Sequence, residues 1–209
     1  MQGQGALSEY RMALREKILH AALREFRAKG IKAVKMDDIA ASLSVSKRTV
    51  YELYANKEDL LLEVAKKADA DKQRQTANHV TKSTMDVLIH ELQTKIEEMR
   101  TTNPLFYSDM EHYPKLLDYF RHQKEANRTL FIDFLKRGEQ EGYFCRGLDY
   151  ELIASLMDEQ GEIIMSRQLY KHYPMQDILF NALHISIRGL CTPKGIEMMD
   201  KFMEKELRK

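Results

Sequence analysis

Residues 36–60, MDDIAASLSVSKRTVYELYANKEDL, leave the chain few choices. Asp37 and Asp38 sit where a helix N-terminus favours negative charge, and Ile39, Ala40 and Leu43 follow at one-face helical spacing. Leu43-Ser44-Val45-Ser46 interrupts that pattern. Ser46 is suited to N-cap a second short helix, whose apolar positions Val50, Leu53 and Tyr54 again recur at i, i+3, i+4. That assignment turns Lys47, Arg48, Tyr51 and Glu52 outward. Asn56 then caps a third helix that carries Glu58 and Asp59 in its first turn. Two short helices joined by a tight turn, with cations and a tyrosine on the second, have the form of a helix-turn-helix that enters the DNA major groove. Short apolar helices joined through a serine-containing turn also occur in helical proteins that never meet DNA, so the spacing alone does not decide.

The finer pattern is more specific. SVSKRTVYELYANKEDL resembles the TetR family of bacterial transcriptional regulators, with Thr49-x-Tyr51 and Asn56-Lys57-Glu58 at that family's offsets. ILHAALREFRAKG at 18–30 is similar to the family's first helix. The resemblance covers residues 11 to 62; beyond it only helix order and approximate length agree. Two positions depart from the family pattern: Ser44 stands where glycine is usual, and Lys35 where Ser or Thr is usual. A non-glycine residue in a left-handed turn costs roughly 1 kcal/mol, which a fold can absorb. Lys35 gives up a helix cap and adds a cation near the DNA side. The resemblance implies an all-α protein with an N-terminal three-helix DNA-binding unit over 8–57. A larger helical ligand-binding and dimerisation domain would then occupy 58–209. It also implies that Tyr51 and Lys57 contact phosphates, that Lys47 and Thr49 lie closest to base edges, and that Lys35 and Arg48 stand beside them.

Charge supports this division. The formal net charge of the 209 residues is +1, but residues 1–57 hold 11 Lys or Arg against 6 Asp or Glu, and the remainder holds 22 against 26. The basic end attracts phosphates and the acidic end does not. Only four Pro and nine Gly favour helix over sheet. Cys145 and Cys191 form no C-x-x-C pair, which suits a reducing compartment better than a disulfide framework. The N-terminus lacks an apolar signal core, and no run approaches 18 apolar residues. A soluble cytoplasmic protein without membrane partners is expected.

Residues 1–7 read as disordered. A helix from about Glu9 to Lys29 buries Leu14, Ile18, Ala21, Ala22 and Phe26, and Gly30 ends it. A connector helix runs from Glu58 towards Val80. The next starts at Ser83 or Thr84 and stops at Thr101-Thr102-Asn103-Pro104, followed by a short helix over LFYSDMEHY, closed by Pro114. Further helices are expected over 115–141, after Asp149 with Leu152, Ile153, Leu156, Met157, Ile163 and Ile164 inward, after Pro174, and at the C-terminus.

Residues 105–134 are rich in aromatic side chains, and aromatic and Met residues around a few polar groups suit an apolar pocket as well as an ordinary core. Phe106, Tyr107, Met110, His122, Phe131, Met157 and Gln160 are the candidate ligand contacts for an unidentified small-molecule effector. The segment ILFNALHISIRGL at 178–190 is apolar around most of its circumference, more than one chain's core requires. With small residues at Ala182, Ser186 and Gly189, it predicts that 149–170 and 175–191 pair with a second copy, as the resemblance also implies. No His follows a Glu by three residues, and H-E-x-x-H, G-x-x-x-x-G-K and G-x-S-x-G are absent. No catalytic residue, metal site or cofactor is expected. The expected function is a DNA-binding regulator, a repressor released from a double-stranded operator by a mostly apolar ligand. Alternatives are a regulator or architectural DNA binder with no ligand, and a redox sensor built on Cys145 beside Arg146.

Overall fold

The computed structural model describes residues 2–77 and 82–207. Among them are ten α-helices: α1 (Gln2–Lys29), α2 (Met36–Ser42), α3 (Lys47–Leu53), α4 (Lys57–Ala77), α5 (Thr84–Thr101), α6 (Pro104–Met110), α7 (Pro114–Gln140), α8 (Tyr150–Ser166), α9 (Met175–Leu190) and α10 (Pro193–Leu207). A 3-10 turn spans Leu169–Lys171. The only extended pairing among the described residues is an isolated bridge, Phe144 to Cys191. The all-α expectation holds. Helix α1 begins earlier than expected: its backbone continues to Gln2, through residues read from sequence as disordered. The expected run of the connector helix to Val80 ends outside the described residues.

The chain forms two compact units, Met1–Arg74 with Thr101–Arg121, and Gln75–Arg100 with His122–Lys209. This differs from a single cut after residue 57. The helix that starts at Lys57 supplies Leu60, Leu61 and Val64 to the first core, and Leu116 of α7 joins them. Burial therefore draws α4, α6 and the start of α7 into the N-terminal unit.

In that unit Ile18, Ala22 and Phe26 of α1 pack against Ile39 and Ala40 of α2 and Val50 of α3, all essentially inaccessible to solvent. Gly30 ends α1 with φ +85°. A Cβ there would lie 2.8 Å from Leu105 Cβ and 3.1 Å from an Asp109 carboxylate oxygen, so glycine is required both by conformation and by the approach of α6. Asn103 joins the two helices. Its backbone N–H donates to the Arg27 carbonyl at 2.7 Å and its side-chain amide to that of Ala28 at 3.2 Å, while its own oxygen caps α6 through Leu105 N–H. Carbonyls left unpaired at the end of α1 thus find partners.

The second unit has its own core of Met85, Leu92 and Ile96 from α5, Ile132 and Leu135 from α7, Ala154 from α8, Ile187 and Leu190 from α9, and Met199 and Phe202 from α10. Arg100 meets the buried Glu206 carboxylate at 3.1 Å and the Glu206 carbonyl at 3.2 Å. Asp149 caps α8 by accepting from Leu152 N–H at 3.1 Å, as its position before an apolar run predicts. The face of α8 is a correction. Leu152, Leu156 and Ile163, expected inward, are more than half exposed, whereas Ala154, Ile153 and Met157 pack on the core.

Candidate nucleic-acid interface

The turn between α2 and α3 is set by hydrogen bonds that the sequence only half announces. Val45 N–H donates to the Ala40 carbonyl at 3.1 Å and Ser44 N–H to that of Ala41 at 3.1 Å, the paired 6→1 and 5→2 bonds of a Schellman ending. Such an ending needs a left-handed residue at its fifth position, and Ser44 has φ +55°. Ser46 then caps α3: its hydroxyl accepts from Thr49 N–H at 3.1 Å and lies 2.7 Å from the Thr49 hydroxyl. Val50 is fully buried on the inner side of α3. Helix α3 therefore presents Lys47, Arg48 and Tyr51 to solvent, with Thr49 half-buried beside them.

Each cation on that face is lightly held. Lys47 pairs with Asp37 at 2.8 Å and lies 5.7 Å from the Tyr51 ring centre, and Arg48 pairs with Glu52 at 2.8 Å. The hydrogen bonds to Asp37 and Glu52 raise both pKa values above their ordinary range, so both groups stay charged. Solvent screens exposed pairs of this kind, so phosphates can exchange for the carboxylates at little cost. Lys35, also exposed, precedes α2. Its backbone N–H donates to Asp38 at 2.8 Å, but a lysine side chain has no acceptor, so the reciprocal bond of a Ser or Thr cap is missing.

Lys57, at the start of α4, meets backbone of its own unit. Its ammonium donates to the carbonyls of Ile31 at 2.9 Å, Lys32 at 3.2 Å and Val34 at 3.0 Å. Burial lowers its pKa, an effect only partly opposed by the Asp109 charge. An ammonium has three donors, and here all three are spent on backbone.

The seven candidate ligand contacts are divided between the units. Phe106 and Met110 pack on the core of the first, and Tyr107 stands edge-on to Phe106 with ring centres 5.5 Å apart. Phe131 and Met157 pack on the core of the second, and His122 is exposed. Only Gln160 of the seven lines the large cavity of the second unit. That cavity, about 610 Å³, lies among α8, the 3-10 turn and α9, with Leu156, Ile164, Tyr173, Ile178 and Asn181 on its walls. Gln160 accepts from the Ser186 hydroxyl at 3.0 Å. Sequence reasoning missed Leu169, Tyr173 and Ile178, which share a wall only because the 3-10 turn folds back between two helices. Cys145 is half-buried, and its thiol donates to the Cys191 carbonyl at 3.4 Å; burial pushes the Cys191 thiol up to about 11. Among the described residues no group of three or more His, Cys, Asp or Glu could hold a metal ion, and no helix is long and apolar enough to cross a membrane.

A three-helix core carrying a capped, cation-bearing α3 after a left-handed turn defines a helix-turn-helix protein. Residues 18–64 match the model of the bacterial regulatory proteins of the tetR family, and the chain has the TetR-like fold, with an N-terminal helix-turn-helix domain and a larger helical domain. Among solved structures, a TetR-family transcriptional regulator from Marinobacter aquaeolei VT8 is similar at TM-score 0.67 and 16% identity, over 91% of this chain and 97% of that one. A protein from Saccharomonospora viridis, solved in complex with choline, gives TM-score 0.64 and 18% identity over 87% and 99%. The fatty acid degradation regulator FadR from Bacillus halodurans gives 0.60 and 16% over 84% and 95%. At these identities the likeness is one of fold. No curated protein matches the chain by sequence.

Proposed function

We propose that the chain is a homodimeric, sequence-specific transcriptional regulator that represses by occupying a DNA operator and is released by a small, mostly apolar effector. The observation that carries this reading is the outer face of α3. Lys47, Arg48, Thr49 and Tyr51 stand together there on a helix fixed by a cap and a buried valine. Lys47 and Thr49 are assigned to base edges, Arg48 and Tyr51 to phosphates, and Lys35 to the phosphate beside α2. Dimerisation is supported by Leu152 and Ile185, large apolar side chains left exposed on α8 and α9 away from the cavity lining. A twofold pairing through these helices would hold two readers for half-sites about one helical turn apart. The effector is supported by the 610 Å³ cavity, whose size is that of ordinary ligand sites and whose wall offers Gln160 and Asn181 as polar anchors. Regulators of this fold include one solved with choline and one of fatty acid degradation, which supports a small metabolite as the effector class.

Selection of duplexes from a random-sequence pool tests the reading. The expected product is a twofold-symmetric site whose affinity falls steeply with salt. A pool that stays random after repeated rounds contradicts sequence-specific binding.

A further inference from the structure

The segment Gly30–Lys35, which delivers the chain from α1 into α2, is held by opposite charges from two other helices of the same unit. From α4, the Lys57 ammonium takes the carbonyls of Ile31, Lys32 and Val34 within 3.2 Å. From α6, the Asp109 carboxylate, 6% exposed, accepts the Lys32 backbone N–H at 2.7 Å. The Lys32 side chain adds a 3.1 Å contact to His112 and lies 4.0 Å from Asp109. Three carbonyls converging on one cation fix the peptide planes of the turn. Those planes determine where Met36 begins α2, and α2 in turn carries α3.

We infer that Lys57 is a positioning residue for DNA reading: its ammonium clamps the turn before the helix-turn-helix and does not contact phosphate. The inference rests on the reading of α3 as the DNA reader. A phosphate oxygen could recruit Lys57 only by breaking a carbonyl bond, and breaking all three would release the turn. Lys47, Arg48 and Tyr51, being exposed, can meet DNA without such a cost.

The two roles differ in salt dependence. Each phosphate contact contributes about 0.9 to the slope of log affinity against log salt, so losing one from each half of a dimer lowers it by about 1.8. The probe is a duplex selected from a random pool by the wild-type protein, titrated at four salt concentrations with wild type, Lys57→Met and Lys57→Gln. All are held at a temperature where circular dichroism shows them folded. Lys57→Met is expected to bind about tenfold more weakly with the wild-type slope. Lys57→Gln, which keeps two N–H donors and loses the charge, is expected to recover part of that loss, again with the wild-type slope. Without DNA, amide exchange over 36–42 should be faster in Lys57→Met. A slope lowered by about 1.8 in both variants, unchanged affinity in Lys57→Met, or unchanged amide exchange overturns the inference. If the wild type selects no duplex, the DNA-reading function fails, while the exchange result still decides whether Lys57 clamps the turn.

Discussion

Ile185→Glu should convert the protein to monomers. Ile185 lies on α9 and is 71% exposed in the single chain. With roughly 175 Å² of accessible surface for the residue, about 125 Å² is available for burial, which at about 25 cal/mol per Å² is about 3 kcal/mol. A twofold contact counts it twice, so about 6 kcal/mol of the association rests on this side chain pair. Glutamate removes that burial and adds an unpaired carboxylate near its symmetry mate, a further cost of several kcal/mol where it is desolvated. Some of this is recovered if the carboxylate reaches water, so the expected weakening is at least about a thousandfold, or about 4 kcal/mol. Sedimentation velocity over nanomolar to micromolar protein reads the change directly. Leu130→Glu on α7 is the control, since Leu130 is 66% exposed but lies off α8 and α9. Equal dimer populations in wild type and Ile185→Glu would refute the assignment of this face, as would loss of the dimer in Leu130→Glu alone.

Other outcomes follow from local chemistry. Ser44→Gly should stabilise the protein by about 0.5–1 kcal/mol: relief of a left-handed residue is worth about 1–2, less about 0.5–1 for the freer unfolded chain. The melting temperature should rise by roughly 2 °C, and a fall would count against strain at Ser44. The Cys191 thiol, raised to about 11 by burial, should make stability fall at high pH. The unfolded thiol ionises first, so the contribution is complete below about pH 8.5 and is lost as pH climbs through 11; it amounts to about 3 kcal/mol. Urea denaturation between pH 8 and 11 should therefore show a steeper decline in wild type than in Cys191→Ala, and parallel curves would refute it.

What the sequence discloses here is mostly local. Ser46, Asn56 and Asp149 are caps whose partners lie three residues away, so their spacing suffices to place α3, α4 and α8. Asn103 and Asp109 act across 75 and 77 residues, on Ala28 and Lys32, and no periodicity reports that reach. The same holds for Lys57. Its position matches a family pattern, but its three carbonyl partners exist only once α1 and α4 have packed. Leu152, Leu156 and Ile163 illustrate another limit. An apolar stripe signals burial without saying whether the burying surface belongs to the same chain, so their exposure emerged only from the structure. The aromatic segment 105–134 divided between two cores for a similar reason: aromatic content marks packing, and which core receives each ring depends on tertiary contacts.

The central claim, that α3 reads base pairs through Lys47 and Thr49, is tested most directly by parallel selections from one random-duplex pool with wild type and Thr49→Ala. The wild type should enrich a symmetric site with half-sites one helical turn apart. The variant should enrich the same site with preference lost at one base pair in each half, a change worth about 1–3 kcal/mol per half-site. An identical consensus from both proteins would contradict the assignment of Thr49, and enrichment of no sequence by the wild type would contradict the claim itself.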